Sequence, residues 1–154
     1  MRPLRVFPDT GVLLAMIVFP RDRSGGLALA GEVLEMYEAG SLELVIGRAV
    51  VDELDDVLDV RFPHHRLRAA ALLAPFAPHL VRLPLPSEIE AVLPFCSDPS
   101  DAPIFASAVL ARPDVMLSND FRAFHTPQAK AFRERHQITV DSLYGLLRRL
   151  GRRR

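Results

Sequence analysis

Two aspartates three residues apart, Asp98 and Asp101, stand in the stretch SDPSDAPIFASA (97–108), at the entrance to an apolar helical run. An aspartate there either caps the helix, accepting hydrogen bonds from its first free N–H groups, or holds a cation. The choice depends on which other acids reach the same place. Asp9 follows the apolar stretch LRVF (4–7), and Asp120 follows VMLS (115–118) through SND. Each has an ordinary explanation as a turn residue.

The helical stretch 48–61 carries five acids and allows a sharper test. Val50, Leu54, Val57 and Leu58 define its apolar stripe. At about 100° per residue, Glu53 falls roughly 85° from the centre of that stripe, whereas Asp52, Asp55, Asp56 and Asp59 fall roughly 115° or more away. Four acids thus form a solvated face, and Glu53 sits at the border, able to look inward. No lysine lies on this helix to pair with it; Arg48 or Arg61 forming an ordinary salt bridge is the competing reading. One Glu and three Asp converging at one end of a sheet make an all-oxygen set, which suits Mg²⁺ or Mn²⁺ rather than zinc.

Other chemistries fit poorly. The five histidines, His64, His65, His79, His125 and His136, include no i, i+4 pair. Cys96 is the single cysteine, so there is neither an intramolecular disulfide nor a thiolate metal site. No glycine-rich phosphate loop is present, and SGG (24–26) reads as a flexible loop. A phosphatase with Asp-x-Asp after its first strand would need a second aspartate where Gly11 stands.

The elements that must position these acids follow from periodicity. Strands are expected at LRVF, LELVIG (42–47), DVMLS (114–118) and QITV (137–140), with another possible at HLVRL (79–83). Helices are expected over 10–19, 27–40, 48–61, 64–77, 86–93, 102–111, 127–135 and 141–150. Strands alternating with helices imply a three-layer α/β/α sandwich around a central, mostly parallel sheet, in which ligands bind beyond the carboxyl ends of the strands. Asp9 and Asp120 are placed there.

With 154 residues, 49% of them hydrophobic, the chain has the size of one domain, 1–150, followed by a basic tail at 151–154. Net charge is zero, but the 19 cations are 18 Arg and Lys130. An arginine-rich tail is either a solvated face or a phosphate contact. The apolar run GVLLAMIVF is far shorter than the roughly 20 residues of a membrane span and leads into charged PRDRSGG, so the expected location is cytoplasmic, with no membrane partner.

The stretches PDTGVLLA, VVDELDDVL, DPSDAPIFASAVLA and LSNDFRAF resemble, in order and spacing, the four acidic motifs of PIN-domain nucleases, and most of all those of VapC-like ribonuclease toxins. The resemblance implies Asp9, Glu53, Asp101 and Asp120 as metal-binding acids, Asp98 as an auxiliary, and Ser118 and Asn119 as polar neighbours. It implies Mg²⁺- or Mn²⁺-dependent endonucleolytic cleavage of RNA, a cognate antitoxin and a homodimer. The helix at 27–40, with Leu29, Val33, Met36 and Tyr37 on one face, is the candidate groove for such a partner. Gly11 departs from the Asn usual in the first motif. The alternative reading is a PIN-like module that binds RNA or protein without cutting.

Overall fold

The structure, a computed structural model, describes residues 2–120 and 126–152. The end of the LSNDFRAF stretch, Phe121 to Phe124, lies outside the described residues, as do His125 and the tail arginines Arg153 and Arg154.

Strands β1 (Leu4–Pro8), β2 (Leu42–Leu44), β3 (Val115–Leu117) and β4 (Thr139–Asp141) pair in the order β2-β1-β3-β4. Every pairing is parallel, with Leu4 opposite Leu42, Val6 opposite Val115 and Leu117 opposite Asp141, so the expected mostly parallel sheet is wholly parallel among the described residues. Parallel neighbours require crossovers. Helices α1 (Thr10–Val18) and α2 (Leu29–Glu38) join β1 to β2. Helices α3 (Arg48–Arg61), α4 (Arg66–Leu73), α5 (Pro86–Val92) and α6 (Ala102–Ala111) lead to β3. Helix α7 (Pro127–His136) leads to β4, and α8 (Leu143–Arg149) returns against α2. The result is a three-layer α/β/α sandwich.

The strands are apolar on both faces because both are covered: Val6, Phe7, Val115, Met116 and Leu117 are all essentially inaccessible to water. From β1 the chain moves outward to β2, then crosses back to β3 on the other side. The order therefore reverses between β1 and β3, and their carboxyl ends frame the crevice where such sheets bind ligands.

Several departures from the sequence expectations have local causes. HLVRL forms only a single parallel bridge, Val81 with Gly47, because its partner segment turns into helix α3 at Arg48 and leaves no strand to extend a ladder. The expected helix over 64–77 divides into a 3-10 turn at 63–65, helix α4 and a second 3-10 turn at 74–79 containing Pro75 and Pro78. Helix α5 gives way to a 3-10 turn at 93–95, around Pro94. The last strand begins at Thr139, since Gln137 takes a left-handed conformation (φ 58°) to end α7.

The proposed partner groove on α2 is corrected by its burial. Val33 and Met36 are core residues, and Leu29 and Tyr37 pack against that core, Tyr37 stacking 5.4 Å from Phe76. That face is already covered by the chain itself.

Candidate functional site

Asp9 is the N-cap of α1. Its backbone is extended, and its Oδ1 accepts a hydrogen bond from the Val12 N–H at 2.8 Å. Its own N–H donates to the Leu117 carbonyl at 2.9 Å, tying the end of β1 to the end of β3. Three residues beyond Leu117, the Asp120 N–H donates to Ser118 Oγ at 3.1 Å, which closes the turn that aims Asp120 back toward β1.

Glu53 arrives from α3, whose position is set by a close approach at its N-cap. A Cβ added to Gly47 would stand 3.2 Å from ring carbons of Phe7 and 3.3 Å from Ser107 Cβ, so any larger residue would have to push those neighbours back for α3 to start this close to β1 and α6. Val50, Leu54 and Leu58 are buried and Val57 half-buried, while Glu53 stays at the exposed border, as its helical phase requires. Neither arginine of the competing reading takes it: Arg48 Nε pairs with Asp52 at 3.2 Å, and the Arg61 guanidinium lies 5.5 Å from the centre of the Phe62 ring.

Asp98 and Asp101 divide the two roles between them. The Asp98 carboxylate accepts the Ser100 N–H at 2.9 Å and caps a 3-10 turn at 99–101. Asp101 makes no side-chain capping bond to α6. Instead Asp101 joins Asp9, Glu53 and Asp120 around one cavity of about 90 Å³, with Thr10, Gly11 and Ser118 beside them and Ile104, Phe105 and Met116 as the apolar wall. The structure brings neither Asp98 nor Asn119 to this cavity, and Asn119 is exposed.

The sequence pattern of the PIN domain matches residues 5–122, a span that includes all four acids. The chain belongs to the PIN-domain family. No curated protein and no solved structure matches it. PIN domains are generally nucleases, and they generally use divalent metals such as Mg²⁺.

In this PIN domain Asp9 and Glu53 are held against their own charge. Burial pushes the Asp9 carboxyl above the ordinary aspartate value; hydrogen bonding from Ser118 and the Val12 N–H offsets part of the rise, and repulsion from Glu53 and Asp101 adds to it. Burial likewise raises Glu53, with Thr10 opposing and Asp101 and Asp56 reinforcing. Among the described residues no lysine or arginine forms an ion pair with Asp9 or Glu53.

Thr10 is the residue that the sequence reading missed. It is 6% exposed, and its Oγ1 is buried without a hydrogen bond of normal geometry, although it stands near enough to Glu53 to favour the charged carboxylate. Its sequence signal was its position directly after an N-cap aspartate, which puts it in the first helical turn beside the cavity.

The donor set fits a hard cation: carboxylates and hydroxyls converge, Asp9 and Glu53 lack a cationic partner among the described residues, and a buried hydroxyl has no hydrogen bond of normal geometry. Among the described residues no three His, Cys, Asp or Glu side chains stand close enough to form a ready ligand cluster. A Mg²⁺ ion keeps several waters and takes one or two carboxylates directly, so these acids would hold it partly through its waters. A volume of about 90 Å³ has room for an ion with coordinated water.

Cys96, by contrast, is chemically quiet. Burial and the nearby Asp101 and Asp98 push its thiol up to about 11, so it stays protonated.

Proposed function

We propose that this PIN domain is a Mg²⁺- or Mn²⁺-dependent endoribonuclease and the toxin of a type II toxin–antitoxin pair. The observation that carries the proposal is the convergence of Asp9, Glu53, Asp101 and Asp120 on one cavity at the switch point between β1 and β3, with Asp9 and Glu53 short of a cation. Asp9, Asp101 and Asp120 are assigned as the acids that would hold the ion, one or two of them directly and the rest through its waters, and Glu53, at the rim, as the group that orients the attacking water. A divalent ion held there would lower the pKa of a coordinated water and would neutralise charge developing on the phosphoryl oxygens. Asp9 is pinned through its backbone and its capping bond, so its carboxylate is already oriented before substrate binds, and the Ser118 turn fixes the Asp120 backbone beside it.

The choice of RNA, the cognate antitoxin and the homodimer are supported by the likeness of the four motifs to VapC-like toxins. Among the described residues no helix is long and apolar enough to cross a membrane, which fits the expected cytoplasmic setting. The antitoxin and dimer contacts belong on surfaces other than the buried face of α2.

The test is cleavage of single-stranded RNA by the purified protein with Mg²⁺ or Mn²⁺, with an excess-EDTA control. The expected result is cleavage that EDTA abolishes. Cleavage that persists in EDTA overturns the metal assignment, and activity confined to duplex DNA overturns the ribonuclease assignment. RNA binding with no cleavage under any metal would instead establish the non-catalytic module.

A further inference from the structure

A cluster of carboxylates that attracts a metal repels the polyanion it is proposed to cut, so a strand crossing it needs cations nearby to hold the flanking phosphates. Of the 18 arginines, Arg2 pairs elsewhere with Asp114, Arg48 with Asp52, Arg66 with Asp59, Arg82 with Glu88 and Arg149 with Asp141. A cleft of about 520 Å³ lined by Arg112, Arg135 and His136 also contains Asp114, and so lies at the opposite end of β3 from the acids.

Lys130 and Arg133 are placed differently. Both are exposed on α7, and neither forms an ion pair among the described residues. Three residues apart, they point about 60° from one another on the same side of the helix. With Ala129 and Val140 they line a cleft of about 230 Å³ between α7 and β4. The helix starts at the acids: Thr126, its N-cap, whose Oγ1 accepts the Ala129 N–H at 3.1 Å, lines a second small cavity with Asp101 and Asp120. At about 1.5 Å per residue, Lys130 lies about 6 Å and Arg133 about 10 Å along the axis from Thr126. The helix is held in place by Phe132, whose ring packs 5.9 Å from Phe95 and 5.1 Å from Phe105.

We propose that the cleft between α7 and β4 binds the phosphodiester backbone of the single-stranded substrate, with Lys130 and Arg133 each taking a phosphate on one side of the scissile bond. This rests on the nuclease reading of the acid site. Arg133 offers a fork matched to phosphate oxygens, and Lys130 a mobile point charge.

The experiment compares wild type, Lys130→Ala/Arg133→Ala and Arg112→Ala/Arg135→Ala on one fluorescein-labelled single-stranded RNA. Cleavage is measured with Mg²⁺, and binding by anisotropy in EDTA, each over a range of salt. The double variant in the α7 cleft is expected to raise KM about tenfold or more with the effect on KM rather than kcat. It should also flatten the slope of log affinity against log salt by about 1.4, the value for two lost phosphate contacts on a single strand. The Arg112/Arg135 variant should behave as wild type. If the α7 variant keeps the wild-type KM, affinity and salt slope, the cleft is not a phosphate site. A wild type that binds but never cuts, with binding weakened only in the α7 variant, would sink the nuclease reading and leave the cleft standing. If the wild type neither binds nor cuts, both are overturned.

Discussion

The two ends of β1 and β3 carry carboxylates in opposite circumstances. At the amino end, Asp114 receives both guanidinium nitrogens of Arg2, at 2.8 and 2.9 Å, and the Arg5 backbone N–H at 2.8 Å. That pairing holds the Asp114 carboxyl below the ordinary aspartate value. At the carboxyl end, Asp9 is buried among like charges and its carboxyl is pushed up. The same two strands thus end in one acid that the chain satisfies and another that it leaves wanting a cation. A fold with arginine to spare for Asp114 has, among the described residues, none paired with Asp9 or Glu53, and such an arrangement gives up stability in exchange for a site.

The largest effect should come from neutralising each end in turn. Asp9→Asn is expected to lower metal-dependent cleavage by more than about a hundredfold, beyond what loss of an outer-shell partner costs. It should leave the metal-free protein as stable as wild type or more so, because one repelling charge is gone. Asp114→Asn should do the reverse, leaving cleavage intact and lowering the melting temperature slightly through the loss of its arginine partners. Mg²⁺ at 100 times its Kd should stabilise wild type by about 2.7 kcal/mol, and Asp9→Asn by much less, as read from thermal melts. An Asp9→Asn protein that stays active and fully responsive to Mg²⁺ would make Asp9 merely a helix cap, a role that Asn fills equally well.

What could be read from the sequence follows the range of the interactions involved. Asp9 and Asp120 were legible because an acid that follows an apolar strand must sit at a sheet end, and Glu53 because helical phase fixes its side of α3. The division of labour between Asp98 and Asp101 was not, since both precede α6 and only the 3-10 turn at 99–101 decides which one caps. The burial of Thr10 also escaped, because it depends on how α3 lies across α1, which Gly47 sets through contacts with Phe7 and Ser107 distant in sequence. The α2 face failed for a related reason: its apolar pattern is the same whether its cover is a partner or, as here, the chain's own α1 and α8.

A smaller effect should come from Thr10, which sharpens the contrast because it is the unsatisfied group at the unsatisfied end. Thr10→Val keeps the shape and removes a buried hydroxyl without a full hydrogen bond, so stability should hold or rise slightly. If that hydroxyl orients Glu53 in the loaded site, cleavage should fall roughly 10–100-fold and Thr10→Ser should restore most of it. Wild-type cleavage in Thr10→Val would show that the hydroxyl is only tolerated.

The smallest effect is in the pH dependence of stability, and its sign separates the two ends. Asp9 and Glu53 have folded values raised above the ordinary 3.8 and 4.5, so within that window the folded chain binds more protons than the unfolded one. Their contribution to stability therefore grows as pH falls from neutral through the raised values, and fades as pH rises again. Asp114 and Glu88, the latter held at about 2 by Arg82, act oppositely: their stabilisation is present above the unfolded values and is lost as pH falls through the lowered ones. Above pH 4.5 these paired acids contribute little change, which leaves the cluster opposed mainly by His136, whose burial holds it below 6.5 and makes acid unfavourable. Subtracting the melting curve of Asp9→Asn from that of wild type, both metal-free, cancels the histidine. The difference should show wild type gaining on the variant as pH drops from 7 toward 4.5. With saturating Mg²⁺ the same difference should change sign, since protonation then displaces the stabilising ion. A difference curve that is flat without metal would mean that Asp9 is no more strained than Asp114, and the contrast between the two ends would fail.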